Sequence, residues 1–336
     1  FKLIMKLTTL LLSALVLGTS VFAQYPGMMT TQVSSNPEGT ALGANETLTA
    51  SGIALGNRVK MRGYIDFYYS YADASIPSSW GIGSVADDKR FSTNSDVDFL
   101  FDFSPITAEA HINLTGDVLL EQAFGRYAVN DVFNFTFGRQ LTALSYEGDE
   151  PTDLLSVSNG YFSDVLVSHP ALVNILNNYV NAYNISNPFN PISNNDVLPN
   201  LRRNYVDGVR ANFNNGQFGL SLGIHDGYWN SDDFNDNIAI DIAASLMIVP
   251  GLEARLGYAH QDVNDQDIGH FNAWLAYNPG DLTLAFEFDN FDFDADQELW
   301  DIMLLGSYQF TDFFATTLRY THENGENLLG FSDYET

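Results

Sequence analysis

Gln217-Phe-Gly-Leu-Ser-Leu-Gly-Ile-His225 alternates apolar residues with small or polar ones, then dissolves into Asp226-Gly-Tyr-Trp-Asn-Ser-Asp-Asp233. The same pattern returns three times. Leu252-Glu-Ala-Arg-Leu-Gly-Tyr258, Leu282-Thr-Leu-Ala-Phe-Glu-Phe-Asp289 and Phe313-Phe-Ala-Thr-Thr-Leu-Arg-Tyr320 each run into an acidic, turn-forming tail. Period-two alternation over eight to ten residues, bounded by turn residues, is the signal of strands joined as hairpins. From residue 204 it predicts strands at 204–213, 218–226, 238–248, 252–261, 269–277, 282–289, 298–309 and 313–322.

Upstream, five more strands are expected. The first, Val59 to Tyr71, separates Val59, Met61, Ile65, Phe67, Tyr69 and Tyr71 from Lys60, Arg62, Asp66 and Ser70. A loop to about Thr93 follows. The second strand sets Val97, Phe99, Phe101 and Phe103 against Asp96, Asp98 and Asp102. The third sets Ala110, Ile112 and Leu114 against His111 and Asn113. The fourth, near Val118 to Tyr127, resists phasing. The fifth carries Phe133, Phe135 and Phe137.

The chain has 336 residues, no cysteine and a formal charge of −28. No basic patch exists to neutralise phosphates, so nucleic acid is excluded as a partner. Met5-Lys6, an apolar run from Leu7 to Leu17 and the small-residue site Val21-Phe22-Ala23 read as a secretory signal peptide over residues 1–23. Its core is about half the length a membrane-spanning helix needs. Met5 is read as the initiator, with Phe1 to Ile4 ahead of it. Residues 24–57, rich in Gly, Ser, Thr, Asn and Pro, read as a flexible N-terminal segment.

Alternation alone fits a soluble sandwich as well as a membrane barrel. Three features favour the membrane. The apolar face is free of charge: Phe218, Leu220, Leu222 and Ile224; Ile238, Ile240, Ile242 and Leu246; Phe271, Leu275 and Tyr277; Leu282, Leu284, Phe286 and Phe288. Short turns (214–217, 249–251, 278–281, 311–312) alternate with longer acidic loops (227–237, 262–268, 290–297, 323 onward). Aromatics gather near strand ends, among them Tyr205, Phe213, Tyr228, Trp229, Tyr258, Tyr277, Trp300, Tyr308, Phe310 and Tyr320. That is the girdle expected at two lipid–water interfaces.

The fold expected is therefore all-β. It is an antiparallel up-and-down transmembrane β-barrel over 58–336, with about thirteen strands in this chain. Bacterial barrels have even strand numbers and the chain stops in a loop, so the expectation is C-terminal truncation and sixteen strands in the complete protein. A barrel of that size encloses an aqueous channel.

Residues 141–203 form one long irregular segment, too long for an ordinary connection. It opens with Glu147, Asp149, Glu150 and Asp153. Helical period over Pro170 to Tyr183 places Leu172, Val173, Leu176, Tyr179, Val180 and Tyr183 on one side and four asparagines on the other. The segment either packs on its neighbours or folds into the pore.

Glu121-Gln-Ala-Phe124, Phe135-Thr-Phe-Gly-Arg-Gln-Leu141 and Ser145-Tyr-Glu147 resemble the OmpL-like family of outer-membrane β-barrel porins of Gram-negative bacteria. That family carries "EQAY", "TVGKF" and "GYE" runs at comparable spacing. Ser145 stands where the family has glycine. Asp226-Gly-Tyr-Trp-Asn230 resembles the family's aromatic Asn/Asp-rich loop. The resemblance implies a pore in the cell outer membrane and supplies no catalytic residue.

The polar face is the expected inner wall. Its pore-lining candidates are Arg62, Asp66, Asp98, Asp102, His111, Arg210, Asp241, Glu253, Arg255, Glu287, Asp301 and Arg319. Glu147, Asp149, Glu150 and Asp153 are candidates for a constriction loop facing the wall arginines, a transverse field that orients dipolar solutes. The function expected is a porin for passive diffusion of small hydrophilic solutes or ions, with a modest preference for cations. The competing expectation is a plugged barrel serving as structural anchor or adhesin.

No enzyme is expected. Ser70, Ser221, His225 and Asp241 are the only nominees for a hydrolase, and nothing in the sequence joins them. No metal or cofactor is expected either. Asp292-Phe-Asp-Ala-Asp296 and Asp233-Phe-Asn-Asp-Asn237 lack the glycine and the distal glutamate of a calcium loop, and the six histidines show no ligand spacing. The partners expected are outer-membrane lipid and small solutes or ions, with a homo-oligomer left open.

Overall fold

The computed structural model describes residues 53–54, 58–72, 88–103, 105–115, 119–146, 205–229, 238–263, 266–293, 297–311, 314–326 and 333–335, together with 161, 163, 177, 180–181, 184–186 and 201. The proposed signal peptide lies outside them, as do almost all of the flexible segment and most of 147–204.

Fifteen strands are described, and each pairs antiparallel with the next in sequence. They are β1 (Ile53–Ala54), β2 (Val59–Ala72), β3 (Asp88–Phe103), β4 (Ile106–Asn113), β5 (Leu119–Asn130), β6 (Phe133–Leu141), β7 (Tyr205–Asn214), β8 (Phe218–His225), β9 (Ala239–Val249), β10 (Leu252–Val263), β11 (Gln266–Tyr277), β12 (Leu282–Phe293), β13 (Gln297–Thr311), β14 (Phe314–Glu326) and β15 (Asp333–Glu335). The thirteen longer strands, β2 to β14, are the thirteen expected. The arrangement is the antiparallel up-and-down transmembrane barrel read from the sequence.

Burial along the strands is inverted relative to a soluble protein. On β10 to β13 the exposed side chains include Leu256 (59%), Leu275, Leu284, Phe286 and Leu304, while Arg255, Asn272, Glu287, Asp289 and Asp301 are buried. Water cannot be the solvent for such an outer face. Apolar side chains outward suit hydrocarbon, and the ladder satisfies the backbone polar groups that lipid cannot.

Two bulges explain where period two failed. The β4–β5 register shifts between His111 and Ile112, pairing His111 with Gln122 and Ile112 with Leu120, so Glu121 is the extra residue. Glu121 and Gln122 are consequently both buried, and no single phase fits this strand. A second shift, between Ala128 and Asn130, leaves Val129 unpaired at the β5–β6 turn.

Four expected loops are shorter than predicted, the one from 323 onward because β14 continues to Glu326. Pairing runs from Leu252↔Tyr277 through Val263↔Gln266, so 262–268 is a tight hairpin and not an acidic loop. Pairing from Leu282↔Tyr308 through Phe293↔Gln297 converts most of 290–297 into strand. β3 likewise begins at Asp88, inside the loop expected to reach Thr93. On β10 to β13 the physical reason is a change of polarity along the strand. Past the apolar band, the inward positions become apolar and the outward ones acidic. Ile268, Phe291, Phe293 and Leu299 are buried, whereas Asp262, Asp267, Asp292 and Glu298 are exposed. Alternation continues with its sign reversed, as it must once the outer face leaves lipid for water. A tilted spanning strand needs about 9–11 residues, and β13 has 15. The surplus stands above the membrane as a barrel packed like a soluble one.

Candidate functional site on the inner wall

Three clusters of charge line the interior. On β3 to β5, His111 Nδ1 lies 3.2 Å from Asp98 Oδ1 and its Nε2 lies 3.2 Å from Glu109 Oε2. Arg126 stands 4.0 Å from Glu109. On β7 to β9, Arg210 Nη2 donates to Asp241 Oδ2 at 2.9 Å, and His225 Nε2 meets the same oxygen at 3.0 Å. On β11 to β14, His270 Nε2 lies 2.6 Å from Asp289 Oδ1, and Asn272 Nδ2 donates to Asp289 at 2.8 Å and to Glu287 at 2.9 Å. Asp289, Asp301 and Glu323 stand side by side in the register of three adjacent strands. A neutral belt joins the first two clusters. Asn212 Nδ2 donates to Asn134 Oδ1 at 3.1 Å, and Ser221 Oγ donates to Asn212 Oδ1 at 2.9 Å.

Each of these groups reaches the interior because its strand position has inward parity. All are buried, and a buried polar group without a partner is costly. The hydrogen bonds therefore fix the rotamers of the wall.

Of the predicted pore-lining residues, Asp98, His111, Arg210, Asp241, Glu253, Arg255, Glu287 and Asp301 are buried on this inner face. Asp102 and Arg319 are half-buried. The side chains of Arg62 and Asp66 lie outside the described residues, and so do Glu147, Asp149, Glu150 and Asp153. Sequence reasoning missed Glu109, Arg126, His270, Asn272 and Glu323. Parity with Glu287 and Asp301 across the hairpins was the signal for the last three; the bulge at Glu121 hid Arg126.

The described residues at the start of the long segment, 142–146 with Tyr161 and Ser163, lie buried against the inner wall. The backbone amide of Tyr146 donates to Glu287 Oε1 at 2.7 Å, and that of Ser145 to Asn272 Oδ1 at 3.2 Å. Tyr161 Oη donates to Glu287 Oε2 at 3.2 Å. Ser163 donates to Glu323 twice, from its amide at 3.0 Å and its hydroxyl at 2.7 Å. Arg210 Nη1 donates to the carbonyl of Leu141 at 3.0 Å. Wall carboxylates thus receive backbone and hydroxyl donors of the segment, and a wall arginine caps its start.

Apolar packing backs the polar anchors. Tyr146 and Tyr161 sit among inward Trp274, Ala276, Ala285, Met303 and Leu305, and the Tyr146 and Trp274 rings meet edge-on at 5.4 Å. Leu144 packs over Gly257, where a Cβ would come within 2.9 Å of its Cγ. Burial, reinforced by Glu287 and Glu253, pushes the Tyr146 phenol above its ordinary range. Of the predicted helix over 170–183, Asn177, Val180 and Asn181 are helical, with Val180 buried and Asn181 exposed as the pattern requires.

Tyr228 and Trp229 correct the girdle. Gly227 takes φ 118°, a left-handed turn, and sends the two rings inward. Their backbone amides share Gln261 Oε1 at 2.6 and 2.8 Å, and Trp229 Nε1 donates to the carbonyl of Leu201 at 3.1 Å. Burial, with Asp241 nearby, likewise raises the Tyr228 phenol. Tyr258, Phe271, Tyr277, Tyr308, Phe310 and Tyr320 do face outward.

The nominated hydrolase residues divide. His225 and Asp241 meet, but Ser221 donates to Asn212 and stands four residues from His225 along β8, on the order of 13 Å away. The side chain of Ser70 lies outside the described residues. Among the described residues one other grouping has ligand-like spacing: His260, Asp262 and Asp267, with donor atoms within 4.8 Å of one another on the outer rim.

No protein-family model and no curated protein matches the chain. Solved structures do. Salmonella typhi OmpF, in a complex with daunomycin, superposes with a TM-score of 0.52 at 11% identity, over 83% of each chain. Vibrio cholerae OmpT gives 0.41 at 10% identity, over 81% of this chain and 89% of that one. A porin refined at 1.8 Å gives 0.45 at 14%, over 82% and 86%. The likeness to OmpF is one of fold. With the inverted burial, it makes this chain an outer-membrane β-barrel of porin-like architecture.

Proposed function

We propose that the chain is an outer-membrane porin through which small hydrophilic solutes or ions diffuse passively, past a mixed-charge wall narrowed by the inserted segment. One observation carries this reading. The interior of an apolar-faced barrel is lined by hydrogen-bonded charges on β3 to β5, β7 to β9 and β11 to β14, where a barrel serving only as an anchor could be filled with apolar side chains. Acidic groups outnumber basic ones along that wall, which favours cations. The resemblance to OmpL-like porins and the OmpF-like fold agree with it. The reading includes no catalytic activity.

The plugged barrel is the second reading. It is favoured by the anchoring of the segment on Glu287 and Glu323, both almost completely buried. Liposome swelling separates the two. Vesicles carrying the refolded chain are expected to admit monosaccharides faster than protein-free vesicles and to exclude larger oligosaccharides. Swelling indistinguishable from empty vesicles supports the plug.

A further inference from the structure

We propose that Arg255, with Arg210, forms a binding station for a small oxyanion, a carboxylate or phosphate group, on the inner wall between β7 and β10. The inference adds a solute class to the porin reading, and its meaning for transport rests on that reading.

Arg126, Arg210 and Arg255 are among the largest fully enclosed side chains. Arg126 lies beside Glu109 and Arg210 beside Asp241. Arg255 is different. Its Nε and Nη2 are buried and meet no hydrogen-bond acceptor among the described residues, and no described carboxylate forms an ion pair with it. Glu253, on the same face of β10, acts on Arg255 through its charge and hydrogen-bonds Ser245, but it forms no ion pair with the guanidinium among the described residues. Asp241 directs one oxygen at both Arg210 and His225. Arg210 Nε also lacks an acceptor among the described residues. Its other nitrogens are committed to Asp241, Gln140 and the Leu141 carbonyl. The two guanidinium groups and the Tyr228 ring lie within electrostatic reach of one another. Ala243 and Ser221, both small, stand between the arginines on the inner face.

Burying a guanidinium edge with no acceptor costs free energy, so such an edge calls for a ligand. Nε and one Nη form the flat edge that grips a carboxylate or phosphate with two parallel bonds. In a chain this acidic, with Glu253 and Asp241 close enough to act on Arg255, a buried donor edge that no carboxylate bonds is a local exception to the wall's pairing.

The test is calorimetric titration of inorganic phosphate into the refolded chain in non-ionic detergent, in a buffer free of other oxyanions. One saturable site is expected. Arg255→Gln should weaken it at least tenfold. Arg255→Lys, which keeps the charge and loses the flat edge, should weaken it at least threefold and carries the test if the glutamine variant fails to refold. Arg139→Gln removes the same charge at the rim, where Arg139 pairs with Asp207, and should leave affinity within twofold. No saturable heat, or equal losses in the Arg139 and Arg255 variants, overturns the station. Saturable binding by a barrel that does not conduct supports the station and overturns only the porin reading.

Discussion

Tyr146 and Glu287 are 141 residues apart in sequence, yet the backbone amide of one donates to the carboxylate of the other at 2.7 Å inside the barrel. The contact joins the beginning of the long segment to the opposite side of the sheet, and Ser163 repeats it on Glu323. Hydrogen bonds to a charged acceptor contribute about 1.5–3 kcal/mol, so these two carboxylates set where the segment lies.

Glu287→Gln with Glu323→Gln keeps the side-chain shapes and removes both charges. Loosening by 1.4 kcal/mol is about a tenfold change in occupancy. The double variant is expected to fold and to show larger, noisier single-channel currents than the parent. Quiet currents of unchanged size would mean that the apolar packing of Tyr146 and Tyr161 holds the segment alone.

The limits of the lipid band can be tested on one strand. Phe286 and Asp292 both face outward on β12, the first inside the apolar band and the second above it. Phe286→Arg is expected to destabilise the barrel by about 2–4 kcal/mol in urea unfolding from vesicles, and Asp292→Arg by about 1 kcal/mol or less. Equal costs would mean that the reversal of polarity does not mark the membrane surface.

Alkaline pH should weaken the barrel through Tyr146 and Tyr228. Both phenols are raised when folded, principally by burial, whereas in the unfolded chain a tyrosine titrates near about 10. Protons are then held more tightly by the folded state, so the stability they contribute is present below pH ~10 and falls as pH rises beyond it. Tyr146→Phe should flatten that fall in a series of unfolding midpoints. An unchanged slope would place the Tyr146 hydroxyl in contact with water.

Much of this architecture was legible in the residues. A charge-free face such as Phe218, Leu220, Leu222 and Ile224 has one parity, and parity fixes which side chains meet lipid. The interior residues Arg210, Asp241, Glu287 and Asp301 followed from the same rule. What the pattern could not show was non-local or irregular. The extra residue at Glu121 broke the phase of β5 and concealed Arg126. The continuation of β10 to β13 above the membrane looked like loop because Asp262, Asp267 and Asp292 are acidic, although the inward Ile268, Phe291 and Leu299 beside them in sequence or register keep the alternation. The inward turn of Tyr228 and Trp229 depends on one left-handed glycine. The docking of Tyr146 on Trp274 and Glu287 joins residues over 100 positions apart, a distance that no local period spans.

The central claim is that this barrel conducts. Single-channel recording of the refolded chain in a planar lipid bilayer, under a gradient of potassium chloride, tests it most directly. The account predicts discrete, water-filled conductance steps with a reversal potential shifted modestly toward that of potassium. A bilayer that stays silent although the protein is inserted would contradict the pore, and a shift toward chloride would contradict the acidic wall.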